Sequence, residues 1–356
     1  MDLPVRPVAQ GPSRPASATR TAMALLPALA AMAYPFWLQA FHAVAVQWPL
    51  WQMAALPLLG AFAMPLLAAA LWLRRAFEAP HSIFERRARR LALLAVAAPP
   101  LFVFCAFLLG VLGRPVAEPV AWVVGWFVAG VWAWTGRRAA EPVTAPPADA
   151  TARVVHGLVA ALVLAFIGFH LVNHLFGLAG PGAHAAVMKA GRTLYRLPAV
   201  EAMLVSLLLL QLALGAWLAW RWSRQRMDGY RAVQVATGVY VGFFALTHMN
   251  SALVSARALQ GMDTDWAWAS GAPTGLLLDA WSIRLVPHYA LGVFCVLAHL
   301  ACGLRAVLLA HGWRPAWVDR LWWWGLAVSA LVAALILAGL CGLRIAGATD
   351  LSQALR

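Results

Sequence analysis

Long, unbroken apolar runs dominate this chain, and their continuity limits the folds open to it. A hydrocarbon core of about 30 Å takes about 20 residues of α-helix to cross. Runs of that length recur near 21–46, 51–73, 91–113, 119–136, 154–178, 199–220, 232–256, 284–304 and 321–343, so nine crossings are predicted. Barrel strands would be shorter and would alternate apolar with polar residues. The expected fold class is therefore all-α: a polytopic membrane protein with nine transmembrane helices and the lipid bilayer as its first partner. Composition agrees, with 63% hydrophobic and 11% charged residues and a mean hydropathy of +0.75. A soluble domain does not have this balance.

A net charge of +14 invites a nucleic-acid reading, but the placement of the basic residues gives a simpler one. With the N-terminus inside, the five cytoplasmic segments carry 19 of the 27 Lys and Arg residues, as 3, 6, 3, 4 and 3. The opposite side holds 8. Arg74, Arg75, Arg86, Arg87, Arg89 and Arg90 share one segment and give the strongest orientation signal. The positive-inside rule then predicts a multi-pass protein of a bacterial-type cytoplasmic membrane, N-terminus cytoplasmic and C-terminus outside, with no nucleic-acid partner. The first run is read as a retained helix rather than a cleaved signal, because its removal would break that parity. Cys105, Cys295, Cys302 and Cys341 all fall in predicted spans, so no disulfide or zinc site is expected.

The segment 137–153, polar and rich in proline, reads as a cytoplasmic linker. It separates an N-terminal four-helix region, 1–136, of no assigned role, from a five-helix region, 154–356. Pro99 and Pro100 are expected to interrupt the third span and Pro35 to bend the first. The tryptophans cluster near span ends, as Trp217, Trp220 and Trp222 or Trp322, Trp323 and Trp324, and read as an interfacial belt.

Four polar residues stand inside rear spans: His170, Gln211, His248 and His299. A histidine in the membrane is costly unless paired or coordinated, which makes each a functional candidate. His170 and His248 both lie about 17 residues into spans that start in the cytoplasm, some 25 Å deep, and so share one level in the outer leaflet. Gln211 and His299 lie on spans of opposite direction, about 12 and 15 residues from the outer edge, and should meet nearer the cytoplasm. Two levels with two side chains each, on four helices, is an arrangement that haem in a helical bundle requires. Gln211 and His299 are each followed four residues later by glycine, Gly215 and Gly303, which leaves room for a flat macrocycle. His174 shares the face of His170 one turn on, at a depth suited to a haem propionate or a quinone head. His156, at the cytoplasmic start of its span, is read as a solvated helix end or as facing a quinone, and His288 shares the ambiguity of His174. His42 and His81 are read as interfacial or solvated, and His184 and His311 as loop residues without a role.

Several local patterns join these positions: Phe169, His170 and Asn173; Glu201 with Gln211 and Gly215; Gln234, Thr237 and Gly238 with Thr247 and His248; and Ala298, His299 and Gly303. Together with His156, over residues 153–345, they resemble the five-helix cytochrome b membrane-anchor subunit of succinate:menaquinone oxidoreductases and quinol:fumarate reductases. The resemblance covers about half the chain, and residues 1–150 resemble no family. It implies a C-terminal cytochrome b-like bundle in which His170 and His248 are the axial pair of an outer haem b and His299 is one ligand of an inner haem. The partner position of His299 holds Gln211, whose carboxamide is a poor ligand for low-spin iron. One bis-histidine haem is expected, with the inner haem absent or held by His299 alone. The resemblance also implies cytoplasmic flavoprotein and iron–sulfur partner subunits and a quinone.

Two other functions compete with this membrane cytochrome. One is a haem-free anchor or scaffold for a cytoplasmic partner. The other is a carrier, which the scarcity of membrane carboxylates disfavours, Glu201 being the one candidate. No phosphate-binding loop, serine triad or metalloprotease motif is present, so any catalysis belongs to a complex in which this chain is at most the membrane subunit.

Overall fold

A computed structural model describes residues 18–47, 50–113, 116–136 and 149–345. All its regular elements are helical: α1 Ala18–Ala45, α2 Ala55–Ala76, α3 Ile83–Val96, α4 Ala98–Val111, α5 Glu118–Thr135, α6 Ala150–Phe176, α7 Pro181–Tyr195, α8 Pro198–Trp222, α9 Gly229–Met249, α10 Trp266–Ser270, α11 Leu285–Ala310 and α12 Pro315–Leu340. Seven helical stretches are long and apolar enough to cross a membrane, which makes this a polytopic helical membrane protein. They include α1, α2, α6, α8, α11, α12 and the stretch Gly229–Leu259, in which α9 continues as a π-helical segment, Asn250–Leu259.

The third and fourth expected spans differ from a plain crossing. α3 and α4 meet at Ala97 with a bend of 80°. Pro99 and Pro100 stand in the first turn of α4, where a missing N–H costs nothing but the preceding helix cannot continue. α3 starts at Ile83, earlier than hydropathy indicates, because Arg89 and Arg90 are buried rather than solvated. Arg89 donates to the carbonyls of Glu78 (2.8 Å) and Gln225 (2.9 Å), and Arg90 donates to Ser223 Oγ (3.0 Å) with its guanidinium over the Trp220 ring. α5, with 18 residues, four of them tryptophan, is short for a crossing. Pro27 and Pro35 both lie inside α1.

In the rear half, α6 packs on α8 and α12, α8 on α9, α9 on α11, and α11 on α12, so five helices close a ring. α6 stands off from α9 and α11 across that ring. The front helices α2, α3 and α4 lie against α9, and α4 also against α11. Trp72 Nε1 donates to Ala232 O (2.9 Å), Met227 N to Ala76 O (2.8 Å), and Arg284 pairs with Glu118 (2.6 Å). One apolar core runs from Ala24 and Tyr34 in α1 through Tyr240 to Ile336 in α12. Most of the proline-rich linker, 137–148, lies outside the described residues.

The tryptophans divide into two sets. Trp220, Trp323 and Trp324 are exposed, as a belt requires, whereas Trp322 turns inward and its Nε1 lies 3.2 Å from Cys302 Sγ. Trp72, Trp122 and Trp126 are also core residues.

Candidate axial-ligand pairs in the five-helix ring

The ring interior collects the polar residues that the surrounding hydropathy isolates. At one level, α6 and α9 bring the imidazoles of His170 and His248 together edge to face, with ring centroids 5.8 Å apart and planes at 65°. Neither ring hydrogen-bonds to another described residue. Phe166, one turn before His170, stacks on it at 5.8 Å and 22°, and Phe244 stacks on His248 at 5.7 Å and 15°. These two phenylalanines hold the imidazoles in their rotamers. The π-helical segment begins two residues after His248, a distortion frequent at functional sites.

The outer side of this pair carries a second polar layer, in which the sequence reading gave His174 and His288 a possible propionate or quinone role and His184 none. His174 lies 4.7 Å from His170 and 5.4 Å from His184, centroid to centroid. His184 is not a loop residue. It sits on α7, 2% exposed, against Trp266 at 4.8 Å, and its Nε2 is 3.2 Å from Asn173 Nδ2. Burial, then the neighbouring Arg192, pushes the His184 imidazole down to about 4. His288 is fully enclosed on α11 beside Phe244 at 4.8 Å. Asn173 Oδ1 and the Nδ1 atoms of His174, His184 and His288 are buried without a hydrogen-bond partner.

At the other level the structure brings together three residues where two were expected. Gln211 does not reach His299 but His156, with Nε2 to Nε2 at 3.1 Å. His156 in turn faces His299, centroids 6.3 Å apart and planes at 88°. His156 is half-buried with its Nδ1 enclosed, so it is not the solvated helix end that its position indicates. Its 14-residue spacing from His170 was the available signal: just under four helical turns, hence nearly the same face of α6. Gly215 borders this level, since a Cβ there would meet His156 Cε1 at 3.4 Å. Gly303 has no other atom within 4 Å of the place its Cβ would occupy.

The donor chemistry separates two kinds of metal site. Among the described residues no three His, Cys, Asp or Glu side chains converge to hold a bare ion. A porphyrin iron needs only two protein ligands, because the macrocycle supplies the rest. With metal–nitrogen bonds of about 2.0–2.1 Å, two axial imidazoles have centroids roughly 6 Å apart. His170 and His248 match that spacing on helices held apart across the ring, and α8 between them buries none of its residues fully. The centroid spacing suits such a pair. Glu201, the carboxylate a carrier would use, is instead held by both terminal nitrogens of Arg257.

No family model, curated protein or solved structure matches the chain. The cytochrome b resemblance therefore rests on the residues quoted for it.

Proposed function

We propose that this chain is the membrane-embedded b-type cytochrome of an oxidoreductase complex, holding haem b between His170 and His248 and passing electrons between a quinone and a cytoplasmic partner. The facing of these two imidazoles from helices that otherwise stand apart carries this reading. Haem b bound there supplies a one-electron carrier. His170 and His248 supply the axial nitrogens, and Phe166 and Phe244 fix the rings and exclude water. The buried, unpartnered Nδ1 atoms of His174 and His184 can, when protonated, donate to a quinone carbonyl or a haem propionate. Flavoprotein and iron–sulfur subunits on the cytoplasmic side follow from the family resemblance.

Nine crossings with the N-terminus inside suit the observed ties. The seven long helices, the bent α3–α4 pair as one broken crossing and α5 as a short one give that number. Arg89 to Gln225, Arg90 to Ser223 and Met227 to Ala76 then all join cytoplasmic segments. Glu118 to Arg284 and Ile345 to Leu178 join outer ones.

The test is a reduced-minus-oxidised spectrum of the purified chain. A b-type band that disappears in His170→Ala and His248→Ala supports the assignment. Absence of any haem band leaves the haem-free anchor in its place, and an unchanged low-spin signal in His170→Ala moves the ligands elsewhere.

A further inference from the structure

The geometry points to a binding site for the headgroup of a zwitterionic phospholipid, a phosphate joined to a primary ammonium, where the front and rear halves meet toward the proposed outer ends of α1, α5 and α11. The site lies outside the five-helix ring and does not depend on the cytochrome reading.

A cavity of about 240 Å³ opens there. Pro35 and Leu38 of α1, Phe102 of α4 and Ile283 before α11 give it apolar walls, and Gln39, Glu118 and Arg284 supply its polar groups. The charged groups are thus one anion and one cation, in contact through Glu118 Oε2 and Arg284 Nη1 at 2.6 Å. That contact leaves capacity on both. Arg284 also donates through Nε to the Trp281 carbonyl at 2.9 Å, while its Nη2 donates to no described residue. Glu118 Oε1 likewise accepts from none of them. A guanidinium has more donors, and a carboxylate more acceptor sites, than these bonds use.

The arginine is built in rather than solvated. Its side chain is 10% exposed, and the guanidinium lies 4.9 Å from the Phe102 ring centroid and 5.1 Å from that of Trp281. Held in this way it keeps one orientation, with its unused donors at the cavity wall.

Charge complementarity selects the ligand. A plain anion meets the Glu118 carboxylate, and a plain cation meets the guanidinium. A molecule with both signs a few bonds apart places phosphate oxygens on Nη2 and an ammonium on Oε1, and so forms two charge-assisted pairs beside the existing one. A primary ammonium brings N–H donors that a trimethylammonium lacks.

The surroundings favour a lipid over a soluble zwitterion. Pro119 of α5 lines the cavity, and from it Val120, Val124, Phe127 and Val131, all exposed, recur at helical spacing down the helix. Phe36, next to Pro35, is exposed at the rim. An apolar stripe that leads from a charged cavity gives an acyl chain its track while the headgroup is held.

The test titrates the purified full-length chain with short-chain phosphatidylethanolamine, phosphatidylcholine, phosphatidylglycerol and free phosphoethanolamine, read by native mass spectrometry and by the thermal midpoint. Phosphatidylethanolamine should stay bound as a single copy and raise the midpoint. Phosphatidylcholine should bind about tenfold more weakly, the loss expected for one charge-assisted hydrogen bond. Phosphatidylglycerol, without a cation, and phosphoethanolamine, without chains, should also bind weakly. Glu118→Gln should bring the ethanolamine and choline lipids to equal affinity. Ala280→Trp, at an exposed position of the cavity wall outside the ion pair, should abolish the ethanolamine-specific shift and keeps the test decisive if Glu118→Gln does not fold. Equal responses of the native chain to the three lipids reduce the site to general lipid contact and overturn the inference. Tighter binding of phosphatidylglycerol overturns it by making Arg284 a site for anions, and a response to free phosphoethanolamine as large as that to the lipid overturns the acyl track. A full ethanolamine-specific shift in Ala280→Trp places the lipid elsewhere and overturns the assignment to this cavity.

Discussion

Gly238 on α9 lies directly against the His299 ring on α11: a Cβ at that position would stand 2.8 Å from His299 Cε1 and 3.1 Å from Nδ1. Alanine in a helix interior is ordinarily favoured over glycine by about 1 kcal/mol. Here the added methyl must displace the imidazole or separate two packed helices. Gly238→Ala should therefore lower rather than raise the thermal midpoint in detergent. A stabilised variant would show that His299 has slack the packing does not indicate.

Arg89 predicts how strongly the front helices are tied to the rear. It is 2% exposed, and its two bonds reach carbonyls on opposite sides of the α3 packing, at Glu78 and Gln225. Charge-assisted hydrogen bonds contribute about 1.5–3 kcal/mol each, and truncation also leaves carbonyls unsatisfied. Arg89→Met should cost about 3 kcal/mol in reversible unfolding in mixed micelles. Arg89→Lys should recover only part of that, because one ammonium does not reproduce the planar fork. A loss under about 1 kcal/mol in the methionine variant would show that α3 is held by its apolar contacts alone.

The legible parts of this molecule are those where the signal is local. Apolar runs of 20 residues announce α1, α2, α6, α8, α9, α11 and α12 because nothing but the bilayer or a core accommodates them. Pro99 and Pro100 announce the break before α4 for an equally local reason. The arginines of α3 were misleading because five basic residues between Arg75 and Arg90 look like a solvated loop until their carbonyl and tryptophan partners are known. Depth arithmetic paired His170 with His248 because both run the same way from the same side. The same arithmetic paired Gln211 with His299 and missed His156, since it compared levels and did not compare faces of α6. His184 was invisible for another reason. Its burial depends on α7 folding back under Trp266, a tertiary event with no local trace.

That burial has a pH signature. The folded chain holds His184 neutral down to about 4, against an ordinary value of 6.5, through burial and the nearby Arg192, with Asp265 partly opposing. The unfolded chain takes up the proton first, so it binds more protons across that interval. Stability from this group is complete above 6.5 and falls as the pH drops through 6.5 toward 4. The thermal midpoint of the native chain should decline over this window, and that of His184→Gln should decline less. Asp263 acts lower: its carboxyl is held below the ordinary 3.8 by hydrogen bonding and charge from Arg192 and by Arg196, so its contribution is lost beneath that value. Parallel declines in both proteins would assign the acid sensitivity to other groups.

The Arg284–Glu118 pair makes the last prediction, because it links the proposed outer ends of α5 and α11. Arg284 Nη1 lies 2.6 Å from Glu118 Oε2, and the guanidinium also sits 4.9 Å from the Phe102 ring centroid. The Arg284 side chain is 10% exposed and that of Glu118 30% exposed, so the arginine is the member that suffers when its partner is removed. Glu118→Gln should lower the thermal midpoint, Arg284→Met should lower it by a similar amount, and the double variant should be less damaged than the sum of the two. The same residues report topology. Met262→Cys, exposed in the segment after the π-helix, should react with a membrane-impermeant maleimide in intact cells. Trp313→Cys, exposed between α11 and α12, should react only after the cells are opened. Both measurements belong together. A non-additive ion pair with the reverse labelling pattern would keep the packing and invert the orientation in the membrane. Additive variants with the expected labelling would keep the orientation and show that α5 is held to α11 by apolar contact alone.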